Sequence, residues 1–279
     1  MEAIGMRKFQ FAHIDTSAGE QTRNALFGSR GRNLVLVMAR AENEPKGEDT
    51  AASKVCKVLF ENFLRRASLK DEAIEHLNAF MNDSILSMQS PQYKVVCSSS
   101  ALIVCGERFR FFAHGSIKAY HFINGQVVDA FPAQPTPKLG EGLSSAVTAS
   151  PEIAFTRGVH SFLLAGEDVA RLISDEELEQ TLARATSAAH WIDLVQSLFQ
   201  QRCKEGDRFN ACTLLMPSKK ERPSMKKTVV IALAVLVALL LAFFGMGALR
   251  RSSGPQPEAG GNNALQMQAP QPPQQPPAR

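Results

Sequence analysis

The 279-residue sequence contains no CxxC pair, no HExxH or HxH spacing, no GxSxG turn, no Walker-type loop and no Gly-rich dinucleotide fingerprint. These absences exclude a zinc cage of thiolates or imidazoles, a serine-hydrolase elbow and the usual backbone cradles for nucleotide phosphates. Cysteine is sparse and odd in number: Cys56, Cys97, Cys105, Cys203 and Cys212. Most of them sit in apolar runs such as LIVC and KVCKVLF, which points to buried, reduced thiols of a cytoplasmic protein rather than a disulfide framework. The start, MEAIGMRKFQF, lacks the apolar run of a secretory signal, so none is expected.

A basic stripe and an aromatic platform are also missing. The formal net charge is +4, but the eight Lys and Arg and two Glu after Ser218 account for the excess. What precedes them has 23 basic and 25 acidic residues, a net of −2. A mildly acidic domain of this kind argues against a nucleic-acid partner.

What the chain does have is one long charge-free run. Thr228 to Leu249 carries no charged or strongly polar side chain, with VVIALAVLVALLLAFFGMGAL at its centre. Its 22 residues would form a helix of about 33 Å, enough for a bilayer core of roughly 30 Å. The run is apolar all round and is read as a single transmembrane span, which makes the membrane a partner. Five basic residues lie between Lys219 and Lys227, against Arg250 and Arg251 on the far side. This bias places the N-terminal part in the cytoplasm and the tail outside it. Ala234, Ala238 and Ala242 share one helix face with Gly245 close by, a small-residue pattern that can bring a second copy of the chain alongside. The tail beyond residue 250 is rich in Pro, Gln, Gly and Asn and is expected to be disordered. The expected division is therefore a domain over 1–218, a basic linker over 219–227, a span over 228–249 and a tail over 250–279.

Within 1–218 the patterning mixes strands and helices in blocks. NLVLVMAR (Asn33–Arg40) is an apolar run of strand length. Thr50 to Arg66 repeats Val55, Leu59 and Phe63 at helical spacing, and a second helix starts at Ser68, with Asp71 as a box-like cap. Short β runs follow at Tyr93–Cys97, Ala101–Cys105, Arg108–His114 and Lys118–Ile123, with Asn124-Gly125 turning a hairpin into Gln126–Ala130. A Pro-rich loop leads to a strand at Ser161–Ala165. Ser174 with Glu177 makes a capping box for a helix to Ala185. A helix over Ala188–Lys204 and a strand over Ala211–Met216 close the domain. This order predicts an α+β fold with antiparallel sheet and segregated helices.

The order and several phrases resemble the PPM/PP2C metal-dependent Ser/Thr phosphatase domain over nearly all of residues 8–216. LVLVMARAENEPKGEDTAASKV is similar to that family's strand, DGMGGH-type loop and following helix. SSSALIVCGERFRFFAHGSIKAYHFINGQ, FLLAGEDVARLISDEEL and RFNACTLLM are similar to its GDSRAY, SDG and DN-x-T segments. The resemblance implies an α-β-β-α sandwich with two metal ions held by Asp carboxylates between the sheets. The family's acidic positions then fall on Asn24, Ala39, Ser116, Glu167 and Phe209, so Glu167 alone keeps a carboxylate.

Glu167 cannot hold two dications by itself. The remaining remnant candidates are Asp168, and Asp207 if the register slips. Glu42, Glu44, Glu48 and Asp49 read as solvated loop charge, Lys118 as a surface lysine, and His114 as a structural histidine. The sequence therefore points to a catalytically inactive, membrane-tethered domain with no metal and no catalytic residue. Its implied role is to bind a cytoplasmic or membrane protein such as a kinase, a phosphoprotein or part of an assembly. The alternative is an active Mn- or Mg-dependent phosphatase with an unorthodox ligand set.

Overall fold

The computed structural model describes residues 9–16, 24–43, 51–142 and 148–216. The chain divides into two units, Met1–Lys219 and Lys220–Arg279, and every described residue lies in the first. The elements in chain order are β1 (Gln10–Asp15), β2 (Ala25–Arg30), β3 (Asn33–Glu42), α1 (Ala51–Arg65), α2 (Asp71–Leu86), β4 (Val96–Cys105), β5 (Arg108–His114), β6 (Lys118–Ile123) and β7 (Gln126–Phe131). They continue with β8 (Thr148–Ala149), β9 (Ile153–Ala154), β10 (His160–Ala165), α3 (Glu167–Leu172), α4 (Asp175–Arg184), α5 (Ala188–Gln200) and β11 (Asn210–Leu215).

Two antiparallel sheets result, one in the order β1-β11-β10-β6-β7 and one in the order β2-β3-β4-β5-β8, with β9 also on β5. The strand pleat sends alternate residues to opposite faces. Leu34, Leu36, Met38, Leu102, Val104, Phe109 and Phe111 of one sheet therefore meet Ala119, Phe162, Leu164, Cys212 and Leu214 of the other in a core between the sheets. The outer face of the β3–β4 sheet buries Val35, Val37, Ala101, Ile103 and Phe112 beneath α1 and α2. The outer face of the other sheet buries Tyr120, Phe122, Leu163 and Ala211 beneath α3, α4 and α5, around Trp191 and Val195. The layers are helix, sheet, sheet, helix, with segregated helices as the pattern predicts.

Local chemistry explains most boundaries. Asn124 and Gly125 both have positive φ (53° and 88°), which is what a two-residue hairpin between β6 and β7 requires. Ser174 accepts from the Glu177 amide while Glu177 reaches back to the Ser174 amide, the full capping box. At Gly28 an added Cβ would stand 2.3 Å from the Phe60 ring, so only glycine lets β2 lie this close to α1. Cys56, Cys97 and Cys212 are buried and outside any disulfide, whereas Cys203 is exposed.

Several elements depart from the sequence expectation. Ser98, Ser99 and Ser100 do not interrupt the sheet: β4 runs unbroken from Val96 to Cys105, because β3 and β5 flank it and satisfy its backbone whatever its side chains. The second helix begins at Asp71 instead of Ser68. Its N-cap, Lys70, offers no side-chain cap, and Ser68 only accepts from the Lys70 amide at 3.3 Å. α5 stops at Gln200, and β1, β2, β8, β9 and α3 carry too little periodicity to stand out in the sequence. No helix among the described residues is long and apolar enough to cross a membrane, and the span at Thr228–Leu249 lies outside them.

Buried imidazoles set a pH limit on this fold. His121 Nε2 lies 2.9 Å from His160 Nδ1 among Phe109, Phe155 and Phe162, and His114 is fully buried beside Ser99. Burial pulls His114 down to about 4, and burial plus its His160 neighbour pulls His121 to about 4, from an ordinary 6.5. Both are neutral when folded, while the unfolded chain takes up their protons below 6.5. Stability is thus held above pH 6.5 and lost as the pH falls toward 4. The thermal midpoint should drop steeply over that window, by up to roughly 3 kcal/mol of stability per ring, and less steeply in His121→Leu.

Candidate functional site

One end of the sandwich is polar. There β3 and β1 end, β4 and β11 begin, and β10 passes through Gly166 into α3. The register sets Met38 opposite Ser100 and Arg40 opposite Ser98, so these residues continue the inward row of Leu34 and Leu36. In the other sheet His13 pairs Cys212 and Asp15 pairs Asn210, continuing the inward row of Leu214 and Cys212. Because β11 faces β3 across the interface, these two rows converge.

The converging groups are poorly paired. Among the described residues, His13 Nε2, Asn24 Oδ1, Arg40 Nε, the hydroxyls of Ser98 and Ser100, and both amide atoms of Asn210 are buried without a well-formed hydrogen bond, the Asn210 amide reaching only toward the His13 ring. Each such atom is costly unless water or another group reaches it. Among the described residues the one ion-pair partner of Arg40 is Asp168, with Nη1 3.7 Å from Oδ2, outside hydrogen-bond range.

Asp168 anchors a wider network. Its Oδ2 accepts from the Arg208 amide at 3.0 Å and its Oδ1 from Arg171 Nη2 at 3.0 Å. The same Arg171 nitrogen donates to Asp207 Oδ1 at 2.8 Å, and Asp207 Oδ2 accepts from the Lys204 amide at 2.8 Å. That amide bond, with the charge and hydrogen bond of Arg171, holds the Asp207 carboxyl below its usual range. Beside this network is a small cleft of about 140 Å3, whose wall includes Gly115, Ser116, Lys118, Pro135, Glu167 and Arg171.

The sequence-named positions scatter over this end. Glu167 is exposed at the start of α3 and lines the cleft with Ser116. Asp168 and Asp207 meet through Arg171. Asn24 donates to Asp15 Oδ2 at 2.7 Å. Ala39 packs among the residues under α1, and Phe209 packs on Phe199 beneath α5, so neither points between the sheets. Their neighbours Arg40 and Asn210 do. Lys118 lies over the Tyr120 ring, 5.9 Å from its centre, and Glu42 holds Lys138 at 2.7 Å. Glu44, Glu48 and Asp49 lie outside the described residues. Sequence reasoning missed Arg40, Asp15, Ser98 and Ser100. The pleat of NLVLVMAR, with alternate residues inward, was the signal that could have found Arg40.

Two divalent cations need several carboxylate oxygens converging on them. Here the inward rows carry a guanidinium, two serines, an asparagine amide and a histidine, with two carboxylates, Asp15 and Glu42, of which Glu42 is held by Lys138. Of the nearby carboxylates, Asp15 takes Asn24 and Asp168 takes Arg171 and the Arg208 amide. Among the described residues no three His, Cys, Asp or Glu side chains come together as a metal cage. This donor set does not fit a pair of such ions.

No protein-family model matches the sequence, and no match is found among curated proteins. The fold, by contrast, has clear likenesses. A serine/threonine phosphatase of S. agalactiae superposes with a TM-score of 0.61 at 9% identity, over 75% of this chain and 100% of that one. The PstP catalytic domain in complex with two manganese ions gives 0.54 at 12%, over 76% and 99%. The Mycobacterium tuberculosis phosphatase PstP/Ppp gives 0.53 at 11%, over 75% and 98%. The described domain thus has the mixed α/β, antiparallel two-sheet fold of PP2C-type phosphatase catalytic domains. At these identities the likeness is one of fold alone.

The network makes Asp168 a structural keystone. Asp168→Ala removes two charge-assisted hydrogen bonds and the counter-charge of Arg40, so it should cost roughly 1–3 kcal/mol in a denaturant melt. Glu167→Ala, at the exposed neighbouring position, should stay within about 0.5 kcal/mol of the parent.

Proposed function

We propose that this chain is a binding or regulatory module built on a phosphatase fold, without metal-dependent hydrolysis, and tethered to a membrane by Thr228–Leu249 with the folded domain in the cytoplasm. The observation that carries the reading is Arg40. A positively charged side chain points into the gap between the sheets, where catalysis by paired metals requires clustered carboxylates. A protein of the cytoplasm or membrane is the partner that such a tethered, non-catalytic surface would serve. The competing reading, an active phosphatase with unusual ligands, draws support from the manganese in the PstP domain and from the Glu167–Asp168 carboxylates beside the cleft.

Hydrolysis of p-nitrophenyl phosphate by the full chain with excess Mn²⁺ should not exceed the buffer rate. Manganese-dependent turnover that disappears in Glu167→Ala would sink the non-catalytic reading. Separately, the full chain should stay with membranes after carbonate washing, and a chain lacking residues 228–249 should become soluble. Retention of the shortened chain on membranes would refute the tether.

A further inference from the structure

We infer that the Arg40 guanidinium is the resident cation of the gap between the sheets and is what excludes divalent metal from it. The inference deepens the non-catalytic reading above and rests on it.

Three features converge on this assignment. The strand register is the first: Arg40 is an inward residue of β3, level with Ser98 of β4 and one inward step before Glu42, which Lys138 holds, and it faces the sheet that carries Asp15 and Asn210 and the start of α3 at Asp168. Its charge is the second. A dication brought to the same gap would lie a few ångströms from a guanidinium of like sign, in a part-buried setting where water screens little. Asp168, 3.7 Å from Arg40, is the carboxylate such an ion would need, and it already answers three positive or donor groups: Arg40, Arg171 and the Arg208 amide.

The unpartnered atoms are the third feature. Ser98 Oγ, Ser100 Oγ and Asn24 Oδ1 are buried oxygens with no hydrogen-bond partner among the described residues, and with the Asn210 amide they converge on the gap from both sheets. Oxygens of this kind are suitable to ligate a hard cation or its waters. The gap therefore keeps neutral oxygen donors and, besides the Lys138-held Glu42, two carboxylates, Asp15 and Asp168, but holds a fixed positive charge among them. Replacing that one charge by a carboxylate should convert the site from closed to open.

The test is the thermal midpoint of the full chain with and without millimolar Mn²⁺, with EDTA as the reversal. The parent should show no shift. Arg40→Asp, which removes the cation and adds a carboxylate, should rise by several degrees in Mn²⁺ and fall back in EDTA. Arg40→Gln, which removes the charge without adding a ligand and is the milder change for folding, should give a smaller rise. A manganese shift in the parent equal to that of Arg40→Asp, or no shift in whichever variants melt cooperatively, overturns the inference. A flat response in the folded variants leaves the functional reading standing. Manganese-dependent turnover by the parent is the outcome that removes both.

Discussion

The face-to-face packing of two pleated antiparallel sheets governs the rest of this domain. Each strand contributes every second residue to the gap, and for most of its length the gap is filled by Leu34, Leu36, Met38, Phe111, Phe162, Leu164 and Leu214. Burial of these rows drives the two sheets together. The same alternation, carried two residues past the apolar stretch, delivers Arg40, Ser98 and Asn210 into the gap at its open end. Core and site are one periodic pattern whose side chains change from apolar to polar.

The positive charge at that end has consequences for the neighbouring elements. A gap lined by clustered carboxylates repels itself and needs cations; a gap containing a guanidinium beside Asp168 is already near balance. The balance extends outward through Arg171 to Asp207, whose carboxyl in turn ties down the Lys204 amide ahead of β11. Charges that could have served chemistry instead hold a turn and a helix start in place.

The site was legible in part. Glu167, Asp168 and Asp207 could be named from the sequence because SDEEL and the terminal strand anchor the alignment on either side of them. Two of the three do meet, through Arg171. The family resemblance put an acidic position on Ala39, but the pleat turns Ala39 toward α1 and Arg40 toward the other sheet. A one-residue difference reverses the face on which a strand residue lies. Asp15 was invisible for another reason: β1 is a short edge strand with little periodicity, and its place beside β11 depends on a pairing across nearly the whole domain.

Some properties were written into local patterns. The helical stripe of α1, the Asn124-Gly125 hairpin, the Ser174 capping box and the antiparallel, helix-segregated architecture could all be read from neighbours in the chain, because each depends on spacings of a few residues. The charge-free run of Thr228–Leu249 is likewise a property of consecutive residues. What depended on folding was the company each side chain keeps. Arg40 and Asp168 are separated by more than a hundred residues, and Ser98 and Asn210 by a similar distance. They come to one gap because β3 and β4 pair in one sheet, β10 and β11 pair in the other, and the apolar rows press the two together.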